Sequence, residues 1–246
     1  MIRSALAHRF ILSPNVGPRR GDRRPDMLVL HYTGMADAEA ACAWLCDPSS
    51  QVSCHYLVDL DGAITQLVDE GLRAWHAGVS SWEAEEDINS RSIGIEVHNS
   101  GHAFGYPDFP ARQMEAVARL SAEICGRHGI RPRRVLAHSD VAPGRKIDPG
   151  EKFDWRWLHS HGVGIWANVE QVEGGRALAK GDRGQAVVEL QELLKRFGYA
   201  IEITGAYDDL TATVVTAFQR HFRPSKIDGC ADASIVGILR SLVSAL

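Results

Sequence analysis

The sequence lacks several features that would assign it to a class directly. None of the apolar runs in its 246 residues approaches the roughly 18 residues of a membrane-spanning helix. Its 27 basic and 31 acidic residues give a net charge of −4, so no basic surplus is available to bind nucleic acid or an anionic membrane. We therefore expect no membrane span and no nucleic-acid partner, and the length allows one or two domains.

Paired cysteines and export signals are also missing. The five cysteines, at positions 42, 46, 54, 125 and 230, are an odd and scattered set without CxxC spacing, which is typical of reduced thiols. The first residues contain neither the apolar core and cleavage site of a signal peptide nor an early cysteine that would accept a lipid. These absences predict a cytoplasmic protein.

The segment Leu136-Ala-His-Ser-Asp-Val-Ala-Pro-Gly-Arg-Lys-Ile-Asp-Pro-Gly150 is the most informative part of the chain. It places His138, Lys146 and Asp148 on one short loop after an apolar run, and His31 ends another apolar run. Neutral imidazole and carboxylate both bind zinc, and two histidines with one aspartate leave a fourth position for water, as in catalytic zinc sites. For either histidine alone, the alternative is a hydrogen-bonded core residue at a strand end.

Strand and helix signals alternate through the first 168 residues, which predicts an α/β or α+β layered fold. Strands are predicted at residues 27–32, 92–98 and 134–138, and a hairpin around Asp61-Gly62 joins residues 55–59 to 64–68. Helices are predicted after an Asp37 cap and from Pro110 to near Gly129.

Strand alternation gives Glu96 a distinctive position. Ile95 and Val97 are expected to face the core, so Glu96 faces away from it, toward a cleft. A carboxylate there could act as a base toward a metal-activated water, and Lys146 could stabilise negative charge on a carbonyl oxygen. The alternative is a structural ion pair between Glu96 and Lys146.

Five segments in a fixed order resemble a known family. They are His31-Tyr-Thr, Ser53-Cys-His-Tyr-Leu-Val-Asp with Asp61-Gly62, Ala74-Trp-His-Ala-Gly78, Ser92-Ile-Gly-Ile-Glu-Val-His-Asn99, and residues 138–150. Together they are similar to the type 2 N-acetylmuramoyl-L-alanine amidases, relatives of the peptidoglycan recognition proteins. The resemblance covers residues 10–168 and implies a mixed central sheet flanked by helices.

The resemblance also implies an activity and a set of residues. The activity is hydrolysis of the amide between N-acetylmuramic acid, including 1,6-anhydro forms, and L-Ala of the stem peptide, in peptidoglycan turnover or recycling. The cofactor would be Zn²⁺, and the substrate a peptidoglycan or muropeptide. The implied zinc ligands are His31, His138 and Asp148, with Glu96 as catalytic carboxylate and Lys146 as oxyanion stabiliser. His55 and His76 match positions that line or buttress the cleft, and Asn99 matches a polar position beside it; these three are predicted to bind substrate.

Two other functions remain open from the sequence. A non-catalytic recognition protein would bind muropeptide without cleaving it, but family members of that kind lack a full ligand set. A zinc peptidase would instead cut within the stem peptide.

The tail contains Leu178-Ala-Lys-Gly-Asp-Arg-Gly184, Gly198-Tyr, Gly205-Ala-Tyr-Asp, Phe218-Gln-Arg-His-Phe and Ile227-Asp-Gly229 in this order. These segments are similar to the small three-helix peptidoglycan-binding domain. We therefore predict a catalytic domain at 1–168, a linker at 169–177 and a helical domain at 178–246. Three apolar helical faces would form the core of the last domain: Val188, Leu190, Leu193, Leu194 and Phe197; Val214, Val215, Phe218 and Phe222; and Ile235, Ile238, Leu239, Leu242 and Val243.

We expect this tail to fold separately, so that deleting it spares turnover of soluble muropeptide and weakens action on insoluble wall. A wall-binding module would also favour the periplasm or cell wall as the alternative location. After Asp228-Gly229, however, Cys230-Ala-Asp-Ala-Ser departs from the family pattern. The alternative is a tail that packs on the catalytic domain as a structural part of the enzyme.

Overall fold

The computed structural model describes residues 2–168 and 176–245. Its strands are β1 (Arg9–Phe10), β2 (Val16–Pro18), β3 (Met27–Tyr32), β4 (Tyr56–Val58), β5 (Ile64–Gln66), β6 (Leu72–Ala74), β7 (Ser92–Val97) and β8 (Val135–Ala137). Its α-helices are α1 (Ala38–Cys46), α2 (Ile88–Arg91), α3 (Ala111–His128), α4 (His138–Val141), α5 (Trp155–Ser160), α6 (Gln185–Phe197), α7 (Asp209–Phe222) and α8 (Ala233–Ser244).

A mixed six-stranded sheet organises the first part of the chain, in the order β1-β5-β4-β7-β3-β8. Strands β4, β7, β3 and β8 are parallel neighbours, and β5 pairs antiparallel with β4. A separate antiparallel pair joins β2 to β6. The predicted α/β class is confirmed, and so are the three predicted strands and the hairpin.

Local sequence signals explain where these elements begin and end. The Asp37 carboxylate caps α1 by accepting a hydrogen bond from the amide of Ala40 (2.7 Å). Gly129 ends α3 in the left-handed conformation, with φ 65°. Gly62, with φ 86°, forms the hairpin turn, and a Cβ there would lie 2.9 Å from the carbonyl oxygen of Arg112. The turn therefore requires glycine both for its backbone angle and for its contact with α3.

The two faces of the sheet belong to different apolar clusters. Leu28, Leu30, Ile93, Ile95 and Val97 join the α3 residues in one cluster. Met27, Val29 and Leu136 point to the opposite face and belong to one continuous cluster with the helices α6, α7 and α8. Each parallel strand is therefore buried on both faces, which accounts for its near-continuous apolar sequence.

The three predicted C-terminal helices are present, with one adjustment to the apolar faces. On α6, Leu190, Leu194 and Phe197 are buried as predicted, whereas Val188 and Leu193 are half-buried and Val187 is buried in addition. The faces of α7 and α8 are buried as predicted.

This cluster favours the alternative of a tail that packs on the catalytic domain, and separate folding of the tail stays a prediction. Trp82, from the first domain, is fully buried and makes edge-to-face contacts with Phe197 and Tyr199. The tail thus shares its core with the sheet. Most of the predicted linker, residues 169–175, lies outside the described residues. Among the residues that are described, no helix is both long enough and apolar enough to cross a membrane.

A buried carboxylate links the β4 strand to α3. The Glu70 side chain is fully buried and accepts hydrogen bonds from Tyr56, Arg127 and His128. Burial alone would raise the pKa of Glu70, but its hydrogen bonds with His128, Arg127 and Tyr56 outweigh burial and lower the pKa to about 2. The carboxylate thus favours the folded state whenever it is ionised.

We expect Glu70 to contribute an acid-sensitive part of the free energy of unfolding. Because its pKa is lower in the folded than in the unfolded chain, this contribution is complete above about pH 4.5 and is lost as the pH falls toward about 2. Its size is on the order of 3 kcal/mol. Urea unfolding of wild type and Glu70→Gln between pH 3 and pH 7 measures it. The variant should be less stable at pH 7 and lose less stability on acidification; parallel curves would contradict the prediction.

Candidate active site

The candidate site forms where three neighbouring parallel strands end. His31 of β3 lies directly beside Glu96 of β7, and Leu30 pairs with Ala137 of β8, so His138 follows next to His31. Carboxyl ends of parallel strands meet at one edge of a sheet, the usual place for a site in open α/β folds. This topology brings together residues that are far apart in sequence.

Two histidines and one aspartate converge at this edge. The His31 Nδ1 and His138 Nδ1 atoms are 2.8 Å apart, and the Asp148 Oδ2 atom lies 3.2 Å and 2.9 Å from them, respectively. All three residues are buried, and among the described residues they form a group able to hold a metal ion. The structure thus brings together the three predicted ligands.

Hydrogen bonds behind the histidines determine which nitrogens face the site. The Ser92 hydroxyl donates to the Ile88 carbonyl (2.7 Å), so it accepts from His76 Nε2–H (3.0 Å). His76 Nδ1 is then an acceptor, and it accepts a hydrogen bond from the His31 Nε2–H group (2.9 Å). This chain of bonds leaves the Nδ1 lone pair of His31 facing the site.

His138 is oriented in the same way. Its Nε2–H donates to the Ala77 carbonyl (3.1 Å), which leaves its Nδ1 lone pair facing the site. Two nitrogen lone pairs and a carboxylate oxygen within 3.2 Å repel one another unless a cation lies between them. Ligands of one zinc ion are about 3.3 Å apart, so shifts of a few tenths of an ångström would admit the ion. The donor set therefore fits a divalent metal.

The electrostatics of the site suit the same interpretation. Burial and the neighbouring His138 lower the pKa of His31 to about 4, which keeps its imidazole neutral and able to bind metal at neutral pH. Burial alone would raise the pKa of Asp148, but the two histidines hold it below its usual range. His31 is thus neutral and Asp148 is ionised, and each is in the form that binds a metal ion.

Glu96 lies beside the ligands without joining them. Its side chain lines the cleft, and its Oε2 atom is buried with no hydrogen-bond partner. Burial, and then the Asp148 carboxylate, raise the pKa of Glu96 well above its ordinary value, while Lys146 acts to lower it. An unpartnered carboxyl with a raised pKa in a cleft is what a proton-transfer group requires.

The cleft has a volume of about 370 Å³ and a mixed lining. The lining includes the apolar or aromatic side chains of Trp44, Val52 and Trp75 and the cationic side chains of Arg145 and Lys146. No ion pair joins Glu96 to Lys146 among the contacts of the described residues, which disfavours the structural alternative. A ligand with both an apolar face and anionic or carbonyl groups matches this lining.

Two of the three predicted substrate-binding residues are corrected. His55 is fully buried, where it accepts a hydrogen bond from the Gly94 amide (3.0 Å). Asn99 is 1% exposed, and its side chain donates to the Pro107 carbonyl (2.9 Å) and accepts from the Gly101 amide (2.9 Å). The His55 Nε2 atom also lies 3.2 Å from the Arg19 guanidinium, and neither His55 nor Asn99 lines the cleft, so both support it and do not contact a ligand. His76 does line the cleft, and its contact with substrate stays a prediction.

Sequence reasoning assigned no role to Arg145. Its guanidinium donates hydrogen bonds to the carbonyls of Ala77 and Val79, so it fixes the loop that receives the His138 ring. The only sequence signal was its place between Gly144 and Lys146 in the most informative loop.

Comparisons with known proteins decide the family. A model described as N-acetylmuramoyl-L-alanine amidase matches residues 21–151, and a model of a peptidoglycan binding domain matches residues 183–239. The chain is 37% identical over 236 residues to N-acetylmuramoyl-L-alanine amidase AmiD of Escherichia coli K12, covering 89% of this chain and 83% of the relative. The chain belongs to the N-acetylmuramoyl-L-alanine amidase family.

Two solved structures are similar to this chain over most of its length. The E. coli AmiD complex with anhydro-N-acetylmuramic acid-L-Ala-D-gamma-Glu-L-Lys has a TM-score of 0.79 and 36% identity, covering 93% of this chain and 92% of that one. AmpDh3 of Pseudomonas aeruginosa, in complex with anhydromuramic pentapeptide, has a TM-score of 0.74 and 31% identity, covering 93% and 95%. The predicted amidase-like fold, family and enzyme class are confirmed.

We expect this amidase to retain one divalent metal ion per chain after dialysis, because the described residues present one convergent ligand set. His138→Ala should lose both metal and activity. Elemental analysis of the purified protein gives the molar ratio, and His161→Ala, which removes an exposed histidine, is the matched control. A fully active metal-free preparation would rule out the metal site.

Proposed function

We propose that this amidase is a zinc enzyme that hydrolyses the amide between the lactyl group of N-acetylmuramic acid and L-Ala of the stem peptide, and that it accepts 1,6-anhydro sugars. The observation that carries the proposal is Glu96 lying unpartnered beside His31, His138 and Asp148 at one sheet edge. The similarity to AmiD, which has been solved with an anhydro-N-acetylmuramic acid peptide, supports the substrate class.

His31, His138 and Asp148 would hold the zinc through Nδ1, Nδ1 and Oδ2. When bound, zinc polarises a carbonyl group and makes a coordinated water more acidic. His76 keeps the His31 ring oriented, and Ala77 does the same for His138, which is the usual role of groups behind metal-binding imidazoles.

Two protein side chains then transfer a proton and stabilise the charge that develops during the reaction. Glu96 takes a proton from the attacking water as the new C–O bond forms, and it returns a proton to the alanine nitrogen as the C–N bond breaks. The Lys146 ammonium stabilises negative charge on the carbonyl oxygen. The products are a free lactyl carboxylate and a peptide with a free amino terminus.

Mass analysis of the products tests this proposal. With a soluble anhydromuropeptide, we expect free anhydro-N-acetylmuramic acid and an intact stem peptide. Cleavage between amino acids would make the protein a peptidase, and binding without any cleavage would make it a recognition protein. Either result would overturn the proposed reaction.

Glu96→Ala should lower turnover by roughly 10²–10⁴, the range for losing a general base, while zinc and substrate binding persist. Glu96→Gln is the matched variant, since it keeps the shape of the side chain and removes only its basicity. Turnover, zinc content and the substrate dissociation constant are measured for both variants. Loss of zinc together with activity would show that Glu96 is a ligand.

We also propose the domain division 1–168 and 178–246, which the two family models at 21–151 and 183–239 support.

The cytoplasmic location stays a prediction. It is supported by the five free cysteines, none of which is in a disulfide.

A further inference from the structure

A buried carboxylate lies two residues beyond the proposed ligand His138. The Asp140 side chain is fully buried, at the junction of the sheet domain with the helical domain. Its Oδ2 atom accepts the backbone N–H of Ala137 (2.8 Å), the residue immediately before His138. A buried carboxylate must be fully hydrogen-bonded to be tolerated, so its other partners matter.

Those partners come from the helical domain. Tyr199 donates its hydroxyl to Asp140 Oδ1 (2.6 Å), and His221 of α7 lies with its Nδ1 atom 2.6 Å from Asp140 Oδ2. The His221 ring is stacked between Trp155 and Phe222, with ring centroids 3.8 Å and 3.9 Å away, and it is 1% exposed. The donor groups are therefore held rigidly on the far side of the carboxylate.

The position of Tyr199 is itself fixed by the domain junction. The preceding residue, Gly198, packs so closely on Trp82 that an added Cβ would lie 2.4 Å from the indole Cε2 atom. The Gly198 carbonyl also accepts the Glu83 amide (2.8 Å). Tyr199 thus cannot move without moving the loop around Trp82.

The short helix α4 transmits these contacts to the ligands. Its Ser139 amide donates to the Asp148 carbonyl (3.0 Å), and its Val141 carbonyl accepts the Ser81 amide (2.8 Å). Asp140 therefore fixes the backbone on both sides of His138, and α4 is attached in turn to the residue that carries the third proposed ligand.

We propose that Tyr199 and His221 are positioning residues for the metal ligand His138, so that the helical domain forms part of the active-site scaffold. This inference rests on the proposed metal site. It assigns to the C-terminal domain a role in metal retention and turnover that does not depend on contact with the cell wall.

Tyr199→Phe tests the inference, because it removes one hydroxyl and leaves the ring in place. Tyr207→Phe is the matched control: Tyr207 is also buried, and its hydroxyl donates to the Gly229 carbonyl (2.7 Å) within the helical domain. Metal affinity is measured by chelator competition, and amide exchange at Ala137 is measured in the metal-free protein, both at a temperature where all variants are folded.

We expect Tyr199→Phe to bind zinc roughly 10-fold to 100-fold more weakly, the usual cost of losing a group behind a metal ligand, and to exchange the Ala137 amide faster. Tyr207→Phe should match wild type in both measurements. Equal zinc affinity and equal Ala137 exchange in the two variants would overturn the inference.

A pair of His221 variants separates hydrogen bonding from packing. His221→Asn keeps an N–H donor near the Nδ1 position but loses the stacked ring, whereas His221→Leu keeps apolar volume and loses the donor. The inference requires higher zinc affinity in His221→Asn than in His221→Leu, and the reverse order would contradict it. If wild type bound no zinc, the proposed function would fail; if wild type bound zinc and Tyr199→Phe were unaffected, only the positioning role would fail.

Discussion

The parallel alignment of β7, β3 and β8 is the constraint on which the rest of the site depends. Because these strands are neighbours and run in the same direction, their carboxyl ends place Glu96, His31 and His138 at one edge. A shift of β7 by one residue would turn Glu96 to the opposite face and bring Ile95 or Val97 to the cleft. The register is specified by the apolar residues of both faces, so the packing of the core determines where Glu96, His31 and His138 lie relative to one another.

Burial then gives these polar groups their properties. In water, a carboxyl such as Glu96 would be ionised at neutral pH, and a histidine such as His31 would titrate near neutrality. Inside the cleft, burial raises the pKa of the first and lowers that of the second. The same desolvation therefore favours a protonated carboxyl group at one position and a neutral imidazole at the adjacent one, as the proposed roles of Glu96 and His31 require.

The sequence predicted the parts of this arrangement that depend on local patterns. The bounds of β3, the Asp61-Gly62 hairpin and the Asp37 and Gly129 helix ends all follow from alternation and capping. Alternation also placed Glu96 on the same side as the ligands. Strands β1, β2 and β6 were missed because they span only two or three residues and no turn signal or longer apolar run marks them, as Asp61-Gly62 marks β4 and β5.

Roles that depend on three-dimensional packing could not be predicted in this way. Nothing in the local sequence distinguishes a polar side chain facing a cleft from one buried behind it, so His55 and Asn99 were misassigned as substrate contacts. The apolar faces of α7 and α8 were evident, but an apolar face does not specify its partner, and part of the partner is the sheet itself.

The shared core explains why the helical domain bears on the chemistry. His31 lies on the same face of β3 as Met27 and Val29, and those two residues belong to the cluster that the helical domain covers. The face of the sheet is thus apolar where α6, α7 and α8 pack and polar where the strands end. Any element that buries the apolar part must border the polar part, and Asp140 lies at that border, where groups of both domains hydrogen-bond to its carboxyl oxygens. The helical domain therefore cannot be energetically independent of the site formed by His31, His138 and Asp148.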